Sequence, residues 1–134
     1  MKKLNRRDFI TSAAVLAAAP TIITSSAMTQ TSTQVVHHVF FWLKNPGNAA
    51  DRKELMEGLK TLTGIKEIKK LLIGVPASTE KRDVVDNSYD VSELMYFDSA
   101  KEQDVYQVHP IHKAFVDKYS HLWAKVVVYD MLVQ

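Results

Sequence analysis

VVHHVFFWL, residues 35–43, is a run of β-branched and aromatic residues around a pair of histidines. Such a run reads as a β-strand. Neighbouring side chains of a strand point to opposite faces of its sheet. Val35, Val39, Phe41 and Leu43 therefore share one face, and Val36, Phe40 and Trp42 share the other. Both faces are apolar. A sheet with helices on one side and water on the other alternates apolar with polar residues, so this strand needs two covers.

Working outward, Asn45-Pro46-Gly47 stops the strand. A helix is predicted from about 49 to 63, with Leu55, Leu59 and Leu62 on one stripe and Gly64 at its end. IKKLLIGV, residues 68–75, reads as a second strand closed by Pro76, and SYDVSELMYF, residues 88–97, as a third. The charged stretch 77–87 between them reads as a solvated loop, long enough to act as a lid. Ser99 and Glu102 have capping-box spacing. A helix should run from 100 to about 108, restart at Pro110 and continue to His121. KVVVYDMLV, residues 125–133, reads as the last strand, again apolar on both sides through Val126 and Val128 against Val127 and Tyr129.

The order β-α-β-β-α-β is that of a ferredoxin-like α+β fold, a four-stranded antiparallel sheet with two helices on one face. The chain supplies no third layer. A second copy is the simplest cover for the other face, which predicts a homodimer with sheets packed face to face, a dimeric α/β barrel.

The first 27 of the 134 residues are expected to lie outside this fold. Lys2, Lys3, Arg6 and Arg7 precede an alanine-rich apolar run from Ala13 to Ile23, too short for a comfortable membrane span. Asn5-Arg6-Arg7-Asp8-Phe9-Ile10 resembles a twin-arginine export signal, and Ser25 and Ala27 suit a signal peptidase. The expected organisation is an export signal at 1–27, a flexible polar linker at 28–34 and one domain at 35–134, delivered to the periplasm. Residues 1–27 hold four of the 17 basic and one of the 15 acidic residues, so the remainder carries 13 against 14. No basic stripe is left to suit nucleic acid or, once the signal is removed, a membrane. The absence of cysteine excludes disulfides, thiolate metal sites, a cysteine nucleophile and a lipoprotein anchor.

Chemistry concentrates in YQVHPIHKAF, residues 106–115. A residue before proline avoids the α conformation and proline favours the first helical position, so His109 reads as an N-cap, Pro110 as N1 and His112 as N3. A capping side chain folds over the helix end, which makes HPxH a poor match to the helical His pair of metal sites, and no carboxylate stands at matching spacing. Neither a metal nor a cofactor is implied. A neutral imidazole at His112 beside the Tyr106 phenol suits general acid/base work. Equally, His109 caps, Tyr106 packs, and His112 serves either role. His37 and His38 face opposite sides of the sheet; one of them lies toward the helices, either as a satisfied core histidine or as part of a pocket that also receives Tyr106 and His112. Tyr89-Asp90 reads as a hydrogen-bonding corner or a ligand contact. Glu93 and Glu102 form no plausible carboxylate dyad, and the four glycines make no phosphate loop.

HHVFFWLK at 37–44, RDVVDNSYDVS at 82–92, YFDS at 96–99 and the Tyr-x-x-His-Pro-x-His of 106–112 resemble the stress-responsive α/β-barrel (Dabb) family. The resemblance covers about 36–131 and implies a dimeric ferredoxin-like barrel. A plant polyketide cyclase with a similar pattern works without cofactor by acid/base chemistry. Its pattern implies Tyr106 and His112 as a reacting pair, with His37 lining the pocket, but it has a further histidine where Val91 stands here; His109 and Tyr89 are further candidate pocket residues. Three function classes follow: a non-catalytic dimer that binds a small organic ligand, a cofactor-free acid/base enzyme, and, behind these, a haem or metal protein.

Overall fold

The computed structural model describes residues 32–134. The predicted export signal, and all of the linker before Ser32, lie outside the described residues. Strands β1 (Val35–Leu43), β2 (Lys70–Gly74), β3 (Val91–Phe97) and β4 (Trp123–Leu132) alternate with helices α1 (Ala49–Lys60), α2 (Ala100–Val108) and α3 (Pro110–Tyr119). The sheet order is β2-β3-β1-β4, every pair antiparallel. This is the ferredoxin-like arrangement, with the second helical segment divided at His109.

Several boundaries are shorter than the sequence suggests. Helix α1 ends at Lys60 and the chain tightens into a 3-10 turn over Thr61–Gly64, which keeps Leu62 pointing inward below Leu55 and Leu59. The third strand begins at Val91, three residues later than its apolar pattern implies, because Asp90 turns its carboxylate inward. That group accepts N–H bonds from Leu43 and Gly47, both at 2.9 Å. Gly47 sits at φ 74°, a left-handed conformation that glycine adopts without cost. At α2, Ser99 caps the N–H of Glu102, while the Glu102 carboxylate reaches the N–H of Asp98, one residue before the cap.

The core lies between the helices and one face of the sheet. Val35, Val39, Phe41, Leu43, Val91, Met95 and Phe97 meet Leu55, Leu59, Ile65, Tyr106 and Phe115 there. The register between β1 and β4 slips at Trp42/Leu43, where Ala124 is left as an extra residue. Such a bulge changes which face a side chain takes, and it brings Trp123 to the helix side against Phe41 and Phe115. The opposite face of the sheet has no helix. Leu72, Tyr129 and Met131 are exposed on it, beside Phe40, Trp42 and Leu94.

Helices α1 and α3 approach closely at Gly58, where an added Cβ would stand 2.6–2.8 Å from three atoms of the Tyr119 ring. Helix propensity alone would make Gly58→Ala stabilising by about 1 kcal/mol. Overpacking against a buried ring reverses the sign, and chemical denaturation should show a loss of about 1–3 kcal/mol.

Candidate functional site

The stretch around Pro110 builds the site through one missing donor. In a continuous helix the carbonyl of Tyr106 would accept from residue 110, but proline has no N–H. The His109 N–H takes that carbonyl instead, at 3.1 Å. The His109 ring then captures the N–H of Ile111 through Nδ1, also at 3.1 Å. This leaves the carbonyl of Gln107 without its usual helical donor, and the His112 ring fills the vacancy with Nδ1 at 3.0 Å. A carbonyl only accepts, so Nδ1 of His112 carries the proton and Nε2 keeps its lone pair.

His37 reaches the same tautomer from the other side. It is the histidine of the pair that faces the helices, and it is buried at 3% exposure. Its register partner across β1 and β4 is Asp130. Nδ1 lies 2.6 Å from the Asp130 carboxylate, to which the Gln103 amide also donates at 3.2 Å. The carboxylate again only accepts, so the Nδ1–H of His37 donates and, in the neutral ring, Nε2 is left bare. His38 lies on the helix-free face, its ring 4.1 Å from that of Phe40.

Tyr106 joins the two imidazoles. Its ring stands 4.4 Å from that of His112 and 5.7 Å from that of His37, edge-on to the latter. His37, Tyr106 and His112 share a cavity of about 130 Å³ with Glu93, Gln107, Phe115, Trp123 and, from β4, Val126 and Val128. Neither lysine nor arginine lines it.

Two residues expected at this pocket lie elsewhere. His109 serves as the cap of α3 and does not line the cavity. Tyr89 packs against Phe40 at 4.9 Å, on the helix-free side of the sheet. The inward turn of Asp90 breaks the alternation of the strand there, so Tyr89 falls on the face opposite to Val91. Val91, which stands where the cyclase pattern has a histidine, is wholly buried in the core and does not reach the cavity.

The electrostatics favour neutral groups. Burial holds His112 below its ordinary value, with His37 adding to the effect and the Gln107 carbonyl opposing it. Burial also raises the Tyr106 phenol, helped by Glu93. Tyr106 is thus a proton donor rather than a phenolate, and His112 a free base at neutral pH. Glu93, on β3, was missed as a site residue. It is 2% exposed, and burial pushes its carboxyl from 4.5 up to about 8. A visible cue existed: Glu93 sits in the apolar alternation Val91, Met95, Phe97 on the core side of the strand. Among the described residues, no cluster of three or more His, Cys, Asp or Glu could hold a metal, and no helix is long and apolar enough to cross a membrane.

Glu93 should leave a mark on stability. Below pH 4.5 it is protonated folded or unfolded and has no effect. From 4.5 to about 8 only the unfolded chain ionises, so stability falls as pH rises. The slope approaches about 1.4 kcal/mol per pH unit within that window and vanishes above it. Urea titrations from pH 5 to 8 should show this fall in the native chain and a flatter profile in Glu93→Gln.

The sequence model of the Stress responsive A/B Barrel Domain, Dabb, matches residues 35–133. No curated protein sequence matches. A Dabb family protein with a ferredoxin-like fold from Mesorhizobium loti is 23% identical, with a TM-score of 0.61 over 75% of this chain and 97% of that one. A hydroxynitrile lyase from Passiflora edulis is 18% identical, with a TM-score of 0.64 over 77% and 95%. A dimeric ferredoxin-like protein of unknown function from Thermobifida fusca is 19% identical, with a TM-score of 0.60 over 75% and 91%. At these identities the solved structures establish the shared fold, and the match over residues 35–133 makes the chain a member of the stress-responsive A/B barrel (Dabb) family.

Proposed function

We propose that the protein is an exported homodimer whose cavity binds a small organic molecule and moves a proton on it without a cofactor. One observation carries the catalytic part. Two imidazoles on one cavity each have Nδ1 tied to a group that only accepts, Asp130 for His37 and the Gln107 carbonyl for His112. Each therefore keeps a basic Nε2, with a neutral phenol between them. Acid/base chemistry needs that pairing of base and donor; a cavity that only holds a ligand does not.

In this reading His112 Nε2 removes the proton, Tyr106 donates, and His37, held by Asp130, orients the ligand. A protein of the same fold, from Passiflora edulis, is a hydroxynitrile lyase, which supports this reading. Binding without turnover is the second reading, favoured by Val91 lying in the core where the cyclase pattern has a histidine. Export rests on the twin-arginine-like stretch 5–10, and a stress role on the family's description.

The dimer rests on the uncovered sheet face, where Leu72, Tyr129 and Met131 are each about half exposed or more. The Thermobifida fusca relative, described as dimeric, supports it. Leu94 sits on that face, opposite His38 in register. Leu94→Lys should halve the mass seen by sedimentation velocity, and a mass unaltered by this charge would remove the face-to-face dimer.

Catalysis can be followed as exchange of carbon-bound hydrogen for deuterium in a panel of small uncharged organic compounds, read by proton NMR. His112→Ala should slow exchange by about 10²–10⁴ while the dimer stays folded. Exchange should also weaken below pH 6.5 as His112 protonates, at a midpoint under the ordinary histidine value. A panel bound but never exchanged would support the binding reading instead.

A further inference from the structure

Glu93 is the acidic side chain on the cavity wall, and the proton transfer proposed above does not use it. It projects from the middle of β3 between Val39 and Ile73, its register neighbours on β1 and β2. Its Oε2 is buried with no hydrogen-bond partner. The groups that share the cavity with it are His37 from β1, Tyr106 from α2 and His112 from α3, with Asp130 of β4 behind His37. None of these is a lysine or arginine that would neutralise a carboxylate. A buried polar group with no partner is costly and rare in native proteins, and an apolar residue would fit this position at no such cost.

Burial keeps the group protonated at neutral pH. A carboxylic acid offers one O–H donor. The cavity then presents two donors, Glu93 and the Tyr106 phenol, against two bare acceptors, Nε2 of His37 and of His112. A complementary ligand carries an acceptor oxygen and an acidic hydrogen on an adjacent atom. It is uncharged, since neither lysine nor arginine lines the wall to meet an anion. It is also small: the cavity measures about 130 Å³, while an apolar cavity of about 150 Å³ holds benzene.

We infer that Glu93 is the ligand's polar anchor, a neutral acid donating a hydrogen bond to the carbonyl oxygen of a small uncharged ketone or aldehyde. This rests on the proton-transfer reading of the same cavity. In the reaction, a hydrogen on the carbon next to the carbonyl passes to Nε2 of His112. The C–H electron pair becomes the C=C bond and the carbonyl π pair moves onto oxygen. The Glu93 O–H meets the charge that develops there, and return of the proton from His112 reverses the step. An ionised Glu93 would instead face that oxygen with like charge.

The test compares cyclopentanone with methylenecyclopentane, which replaces the carbonyl oxygen by a methylene of similar shape and, like benzene, has six heavy atoms. Binding of each to the full dimer is measured by NMR titration at pH 6.5 and pH 9.5. The native protein should prefer the ketone by about tenfold at the lower pH, the worth of one buried hydrogen bond, and lose that preference at the higher. Glu93→Gln, which keeps an N–H donor and cannot ionise, should keep the preference at both. Glu93→Met should bind both compounds alike at both. Equal binding of the pair by the native protein, or a preference that survives Glu93→Met, overturns the anchor and leaves the cavity and its proton transfer standing. Failure of the native protein to bind either compound removes the small-molecule cavity, and the anchor with it.

Discussion

The site depends on a donor that is not there. Because Pro110 has no N–H, three hydrogen bonds are exchanged in sequence: the His109 N–H to Tyr106, the Ile111 N–H to the His109 ring, and the His112 ring to Gln107. Any other residue at 110 could let the helix run on, and the Gln107 carbonyl would return to Ile111. The break does two things at once. It turns α3 so that the Tyr106 and His112 rings lie 4.4 Å apart, and it fixes which nitrogen of His112 keeps its lone pair. His109, whose ring never reaches the cavity, is a positioning residue in this scheme.

β1 divides the molecule's tasks. As an inner strand paired on both edges, it can spend each face on a different purpose. Its helix side carries His37 among core residues and meets the cavity. Its other side carries His38, Phe40 and Trp42 and meets no helix. The cavity and the helix-free face are therefore kept on opposite sides of one layer. Change on the assembly face reaches the cavity only through the sheet's own backbone.

Much of the fold was legible because it is written in local patterns. The double-sided apolar run of β1, the leucine stripe of α1, and the proline and caps near 99 and 110 each act within a few residues. What was not legible depends on distant partners. That His37 rather than His38 faces the helices, and that Asp130 holds it, follows from a register between residues 93 apart in the chain. Tyr89 misled because one buried carboxylate, Asp90, interrupts strand alternation that the composition alone continues. Glu93 was visible as a charge on the core side of a strand. Its setting depends on the helices that close over it and on the absence of lysine and arginine from the cavity wall.

The bulge at Ala124 has an optical consequence. It places Trp123 in the cavity wall against Phe115, while Trp42 lies on the far side of the sheet with Lys125 4.5 Å from its ring centre and its indole N–H bound to Ser88. These are the chain's two tryptophans. The protein thus carries one fluorophore on each side of the sheet. Emission from Trp123 reports on the cavity wall, emission from Trp42 reports on the helix-free face, and removing either indole isolates the other signal.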